Sequence, residues 1–136
     1  KDEINMRVKF REEFRPFAPA VPVARAAEIF DVDGPVPFMT MAVDVKPDWK
    51  VKIPAVTHVD GTARVQTVDP ATAPEFHELL EKFGRRTGVP VLLNTSFNIK
   101  GEPIVETPLN ALATFASSGI DDLYLGRFVV RKEQKI

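Results

Sequence analysis

Residues 74–104 read PEFHELLEKFGRRTGVPVLLNTSFNIKGEPI, and this stretch decides the fold class. Phe76, Leu79, Leu80 and Phe83 fall at i, i+3, i+4 and i+7, the stripe of an amphipathic helix over 74–87, and Gly88 fits its end. Val89 to Leu93 (VPVLL) is a short, unbroken apolar run, which predicts a strand covered on both faces in a sheet that carries helices. The chain then leaves the strand into a polar loop, Asn94 to Gly101. A helix, a buried strand and a polar exit loop in succession exclude an all-helical bundle.

Working outward, Thr107-Pro108 reads as an N-cap followed by proline at the first helical position. Leu109, Leu112, Ala113 and Phe115 continue an apolar face until Gly119. Leu123 to Lys132 predicts a closing strand. Seven of the 12 prolines lie between Pro16 and Pro54, so short extended pieces joined by rigid turns are expected there. Between them, Ala24 to Asp31 predicts a short helix and Pro37 to Lys46 a strand. Asp60-Gly61 is a turn signal for a hairpin that ends in a strand over Thr62 to Val68. The expected architecture is α/β (α+β), a mixed β-sheet with a few packed helices.

The 136 residues suit one domain, 1–136, able to bury about two thirds of its unfolded surface. A hydrophobic fraction of 44% with 27% charged residues is that of a globular chain. No apolar run approaches the roughly 20 residues of a membrane span. The opening KDEINMRVKF lacks the apolar core of a signal peptide, so no membrane association and a cytoplasmic setting are expected. A net charge of −1 removes the global positive field of most nucleic-acid binders. With no Cys and only His58 and His77, thiolate zinc sites and Cys nucleophiles are excluded. The patterns GxGxxG, GxxxxGK[ST], GxSxG and HExxH are absent.

Two segments concentrate polar chemistry. In RVKFREEFRPFAP, Arg7, Lys9, Arg11 and Arg15 share one parity, so an extended backbone would align their cations on one face. Such a row is either a solvated strand face or an anion site, because like charges in line repel unless a polyanion or neighbouring Glu12 and Glu13 offset them. In LLNTSFNIKGEPI, Asn94, Thr95, Ser96 and Asn98 follow the carboxyl end of a strand, where α/β sheets place ligands. The competing reading is a turn whose side chains bond their own backbone. Arg64, a single cation in TARVQTV, is a third candidate or simply solvent-facing.

The block INMRVKFREEFRPFAPAV (4–21), then VPVLLNTSFNIKGEPIVETPLNAL (89–112) and SGIDDLYLGRFVV (118–130), resembles the C-terminal domain of the O-carbamoyltransferases that decorate nodulation factors, cephalosporins and aminoglycosides. The resemblance spans nearly the whole chain. It implies a twisted, YrdC-like sheet with a basic cavity, and a longer protein whose N-terminal metal-binding transfer domain is the partner of this one. The chain is then expected to be an excised part of that protein, and the transfer domain's metal is not expected in it. The implied reaction is formation of carbamoyl adenylate from ATP and carbamoyl phosphate, with Mg2+ arriving on the ATP. The resemblance assigns phosphate contacts to Lys9 and Arg15, a reach into the same cavity to Arg64, and the adenylate phosphate to Ser96, with Asn94 and Thr95 as helpers. Arg7, Arg11 and Lys100 are either a supporting rim or structural. As cavity cations, Lys9 and Arg15 are expected to be exposed and dispensable for folding.

Two polyanions in one cavity require several cations, and adenylyl transfer needs positioning and electrostatics more than a nucleophile. The absence of Cys and the scarcity of His fit that chemistry. The alternative is a nucleotide- or phosphate-binding module that is inactive without its partner domain. An RNA-binding domain is disfavoured by the net charge and by the lack of interleaved basic and aromatic residues.

Overall fold

The computed structural model describes residues 1–10 and 16–133. The chain divides into two compact units, one of Pro16–Thr95 and one that joins Lys1–Arg15 with Ser96–Ile136.

The first unit is built on β1 (Ala18–Pro22), flanked by β4 (Gln66–Val68) and β5 (Leu92–Asn94). β1 runs parallel to β4 and antiparallel to β5, so the sheet is mixed, as expected. All five residues of β1 are buried although two are prolines, which cannot donate to a ladder. The register resolves this. β5 pairs with Ala18, Pro19 and Ala20, while β4 pairs with Ala20, Val21 and Pro22. Only Ala20 has a neighbour on both sides, so each proline has one side with no strand to serve.

After the short helices α2 (Ala26–Ile29) and α3 (Pro47–Lys50), helix α4 (Pro74–Thr87) lays Leu80 onto Ala20 and Val68, with Ala73, Phe76 and Leu92 packed around them. Its end is the expected one, with Gly88 at φ 76° and its N–H bonded to the Gly84 carbonyl at 2.8 Å. The apolar stripe is used only in part, because Leu79 and Phe83 are exposed. Gly84 allows the chain to fold back from the helix, since a Cβ there would stand 2.7 Å from Pro90 Cβ and 3.0 Å from its Cα. Gly84→Ala should therefore lower stability by about 1–2 kcal/mol, overpacking outweighing the roughly 1 kcal/mol gain in helix propensity. A urea titration that shows stabilisation instead would mean that Pro90 moves aside freely.

Three expectations are corrected here. The strand covered on both sides is β1, not the 89–93 run. β5 starts at Leu92, lies at the sheet edge, and leaves Leu92 and Leu93 half-buried. The 37–46 strand shrinks to β2 (Val43–Asp44), since Met39 adopts φ 54° and breaks the extended run before it. The Asp60-Gly61 turn forms, with Gly61 at φ 86° and Asp60 Oδ1 accepting from the Thr62 N–H at 2.9 Å. Beyond the bond from the His58 N–H to the Thr62 carbonyl at 2.8 Å, however, its arms do not pair as strands. Residues 54–56 form a 3-10 turn led by Pro54, and the 62–68 strand splits into β3 (Thr62–Ala63), paired with β2, and β4, paired with β1.

The second unit centres on α5 (Pro108–Ser117). Thr107 caps it as expected and also closes a capping box. Its hydroxyl accepts from the Asn110 N–H at 3.2 Å and Asn110 Oδ1 accepts from the Thr107 N–H at 3.2 Å. Instead of one closing strand the chain makes a hairpin, β6 (Asp122–Leu125) with β7 (Phe128–Arg131), turning at Gly126 with φ 57°. Ala111, Phe115 and Leu123 form the core of this unit, with Phe97, Val105 and Ile120 against them.

Residues 2–9 are helical, which overturns the extended row at Arg7 and Lys9; Arg11 and Arg15 lie outside the described residues. A turn of α-helix, α1 (Asp2–Ile4), widens into a π-helical segment, Asn5–Lys9, and ends at Phe10 in the left-handed region, φ 48°. Helical winding pairs Arg7 Nη1 with Glu3 Oε1 at 3.0 Å, and brings Ile4, Arg7 and Val8 onto the wall of one cleft. Alternate residues therefore do not share a face.

Candidate anion-binding site

The chemistry of the second unit gathers at Lys9. Its side chain is buried, and its ammonium donates to the Ser96 carbonyl at 2.5 Å, Asn98 Oδ1 at 2.8 Å, the Asn98 carbonyl at 3.0 Å and Ser96 Oγ at 3.2 Å. The exposed cavity cation expected from the sequence is thus a buried one, and truncating it disturbs the structure as well as any ligand. Loop 96–105 is ordered from within. Ser96 Oγ donates to Asn98 Oδ1 at 2.6 Å, Asn98 Nδ2 donates to the Glu102 carbonyl at 2.8 Å, and the Val105 N–H meets the Phe97 carbonyl at 2.9 Å. The Lys100-Gly101 turn closes between the Glu102 N–H and the Ile99 carbonyl at 3.2 Å, with Gly101 at φ 88°.

Asn5 lies four residues before Lys9 on the same buried side of the π-helical segment, and neither Oδ1 nor Nδ2 of its amide meets a partner among the described residues. An orphaned buried amide costs free energy. Asn5→Leu should raise the melting temperature, corresponding to about 1 kcal/mol; a lowered one would show that the amide is partnered in solution.

Beside this cluster, the second unit has a cleft of about 450 Å³ lined by Glu3, Ile4, Arg7, Val8 and residues 119–122. Arg7 does not supply a loose cation there. Its guanidinium holds Asp121 through two bonds, at 2.5 and 3.2 Å, and Glu3 through a third. The hydrogen bond from Arg7 is the main reason that the Asp121 carboxyl titrates below its ordinary value. A depressed carboxyl contributes stability that is fully present above its unfolded value and is lost as pH falls through the folded one. Asp121→Asn should lower stability slightly at neutral pH, leave it unchanged in acid where the carboxyl is protonated, and so flatten the acid limb below about pH 4. An acid limb of unaltered steepness would sink this assignment.

In the first unit, Asn94 Nδ2 donates to Gln66 Oε1 at 2.5 Å across the small side chains of β1, where Ala18 faces Asn94 and Ala20 faces Gln66. Thr95 is half-buried at the end of β5. Arg64 is exposed between buried Ala63 and Val65 in the link from β3 to β4. Arg15 and Arg11 lie outside the described residues. The structure thus unites Lys9 and Ser96 in one unit, and Asn94 with a partner, Gln66, that sequence reasoning missed. Asn98, which the sequence places in the same polar loop as Ser96, joins Lys9 and Ser96. Among the described residues, no three or more His, Asp or Glu side chains are grouped to hold a metal ion, and no helix is long and apolar enough to cross a membrane.

Residues 1–132 match the family model for the carbamoyltransferase C-terminus. The chain belongs to that carbamoyltransferase C-terminal family. Within it, nodulation protein NolO of Bradyrhizobium diazoefficiens is 46% identical over 135 residues, covering 97% of this chain and 25% of its own length. Nodulation protein U of Rhizobium tropici is 46% identical over 101 residues, 74% of this chain and 17% of its own length. The 3'-hydroxymethylcephem-O-carbamoyltransferase of Amycolatopsis lactamdurans is 38% identical over 126 residues, 93% of this chain and 24% of its own length. This carbamoyltransferase C-terminal chain therefore spans a quarter or less of these relatives.

Proposed function

We propose that this chain forms the carbamoyl-adenylate-making part of an O-carbamoyltransferase. The reading is carried by one observation: the ammonium of Lys9, in the first family motif, is held against Ser96, in the second. An ammonium and a hydroxyl side by side suit phosphate oxygens, the first as a point charge and the second as a rotatable donor. Carbamoyl phosphate and one water would give carbamate and phosphate. A carbamate oxygen would then attack the α-phosphorus of ATP, forming the new P–O bond as pyrophosphate leaves. Lys9 would offset the charge that develops on the α-phosphate, with Ser96 donating to one of its oxygens. Arg15 and Arg64 are assigned the remaining phosphate charge, and Asn94 and Thr95 orient the carbamoyl group. Mg2+ would enter on the ATP, bound by its phosphates and water. The N-terminal transfer domain of a longer protein would deliver the carbamoyl group to an acceptor hydroxyl, in the cytoplasm.

The test is pyrophosphate release with ATP, Mg2+ and carbamoyl phosphate, run beside calorimetric titration of each ligand. Release that depends on carbamoyl phosphate is the expected result. Binding of ATP without release would favour a nucleotide-binding module completed by the partner domain, a reading that the chain's small share of its relatives supports. Neither binding nor release would overturn both readings.

A further inference from the structure

The β6–β7 hairpin carries a free strand edge. Its two-residue loop, led by Gly126 at φ 57°, makes Leu125–Phe128 a hydrogen-bonded pair. The Lys132 N–H, donating to the Asp121 carbonyl at 3.2 Å, repeats that parity at the base. Tyr124–Val129 and Asp122–Arg131 are therefore the pairs whose N–H and C=O groups point away from the hairpin. On β7, those groups of Val129 and Arg131 meet no backbone partner among the described residues. An unpaired edge of this kind is a template for another strand. Apolar side chains stand along it in the open, Phe128 68% and Val129 49% exposed.

The charges beside the edge decide what it can take. An antiparallel strand must meet Val129 and Arg131 with its own outward-pointing residues, and for a second copy three two-fold registers do so within residues 127–133. Centred on Val129, the pairing sets Arg127 opposite Arg131 of the second copy; centred on Arg131, it sets that residue opposite itself. Both oppose like charges. Centred on Val130, it sets Arg127 opposite Glu133 and Val129 opposite Arg131 on the outer face, with Phe128 opposite Lys132 on the face that carries Val130. No two cations then face each other, and symmetry makes each favourable pair twice. Lys132 is already fixed, its ammonium on the Ser118 carbonyl and 5.0 Å over the Phe115 ring, so Phe128 of the second copy would cover its stem. We infer that β7 pairs with β7 of a second copy, antiparallel and centred on Val130, joining two hairpins into one four-stranded sheet. So small an interface makes a weak dimer that forms as concentration rises. The inference is independent of the proposed function.

Sedimentation velocity from micromolar to near-millimolar chain should show a reversible monomer–dimer equilibrium. Arg127 and Glu133 are both exposed, so their variants leave the fold alone. Arg127→Glu and Glu133→Arg each bring like charges face to face across the two-fold and should each weaken the dimer roughly tenfold. Together they restore opposite charges, and the double variant should return to within about twofold of the wild type. Residues 127 and 133 stand about 20 Å apart along one strand, so this rescue can arise only between copies paired in this register. Val129→Pro removes an outward N–H and no hairpin bond, and should abolish the dimer. Amide exchange at Val129 and Arg131 should be slow only at high concentration, while Phe128 and Val130, bonded across the hairpin, stay slow throughout. A monomer at every concentration, a dimer that survives Val129→Pro, or a double variant no tighter than the single ones overturns the inference. So does slow exchange at Val129 and Arg131 in dilute monomer, which would mean that the edge is already occupied. Should Val129→Pro unravel the hairpin, the charge exchange alone decides it.

Discussion

Lys9→Met should destabilise the second unit by about 3 kcal/mol and weaken ATP binding roughly 10- to 100-fold. Methionine replaces the aliphatic stem, so the loss isolates the ammonium from its packing. Without the charge, the Ser96 and Asn98 carbonyls lose the ammonium donor in a part-buried setting, and Asn98 Oδ1 keeps only the Ser96 hydroxyl. Arginine would not rescue the site. A planar guanidinium cannot occupy the place of a compact ammonium among closely spaced oxygens. The effect is read from the urea midpoint and from calorimetry on the same sample. If stability is untouched while binding falls, Lys9 is the exposed cavity cation that the sequence suggested, and the buried cluster is not its resting state in solution.

Gly119→Ala should cost about 3 kcal/mol, at the upper end of overpacking penalties, because the obstruction is backbone. A Cβ at 119 would lie 2.6 Å from the Arg7 carbonyl oxygen and 2.7 Å from Arg7 Cβ. The Gly119 N–H also donates to that carbonyl at 2.9 Å, so relieving the clash breaks the bond. Arg7 would move with its helical segment, and the bidentate grip on Asp121 would loosen. Thermal melting checks the magnitude. Amide exchange across residues 2–9 checks the mechanism, with faster exchange there expected. A stable variant with protected amides would show that the turn at 118–120 is free to rotate away.

How much of this was legible depended on whether a residue's neighbours in sequence are also those that decide its environment. α4 and α5 were readable because their signals are local: a 3-4 spacing of apolar residues, Gly88 in the left-handed region, and Thr107 bonding three residues on. β1 was not readable. Ala-Pro-Ala-Val-Pro has no apolar alternation, and its prolines argue against a central strand unless the stagger of its partners is known. The Arg7, Lys9, Arg11 parity misled because a period of two was assumed. Glu3 and Arg7 four apart, with Ile4 and Val8 likewise, were the helical signal in the same residues. At the site, the motif indicated Lys9 and Ser96 and the structure joins them. Asn98 stands in the same polar loop of the sequence, but its bond to Lys9, 89 positions away, is one that no spacing announces.

The second unit is discontinuous: residues of its opening helix find Ser96, Asn98, Gly119 and Asp121 only after the whole of Pro16–Thr95 has intervened. During synthesis, a buried lysine and an orphaned amide must wait, hydrated, while an entire inserted sheet is made. Loop closure over such a span is slow, so the inserted unit should acquire protection first and the enclosing one last. The Lys9 cluster, which joins the two distant pieces of chain, would then be among the final structures to form, and its completion would report that the chain has finished folding.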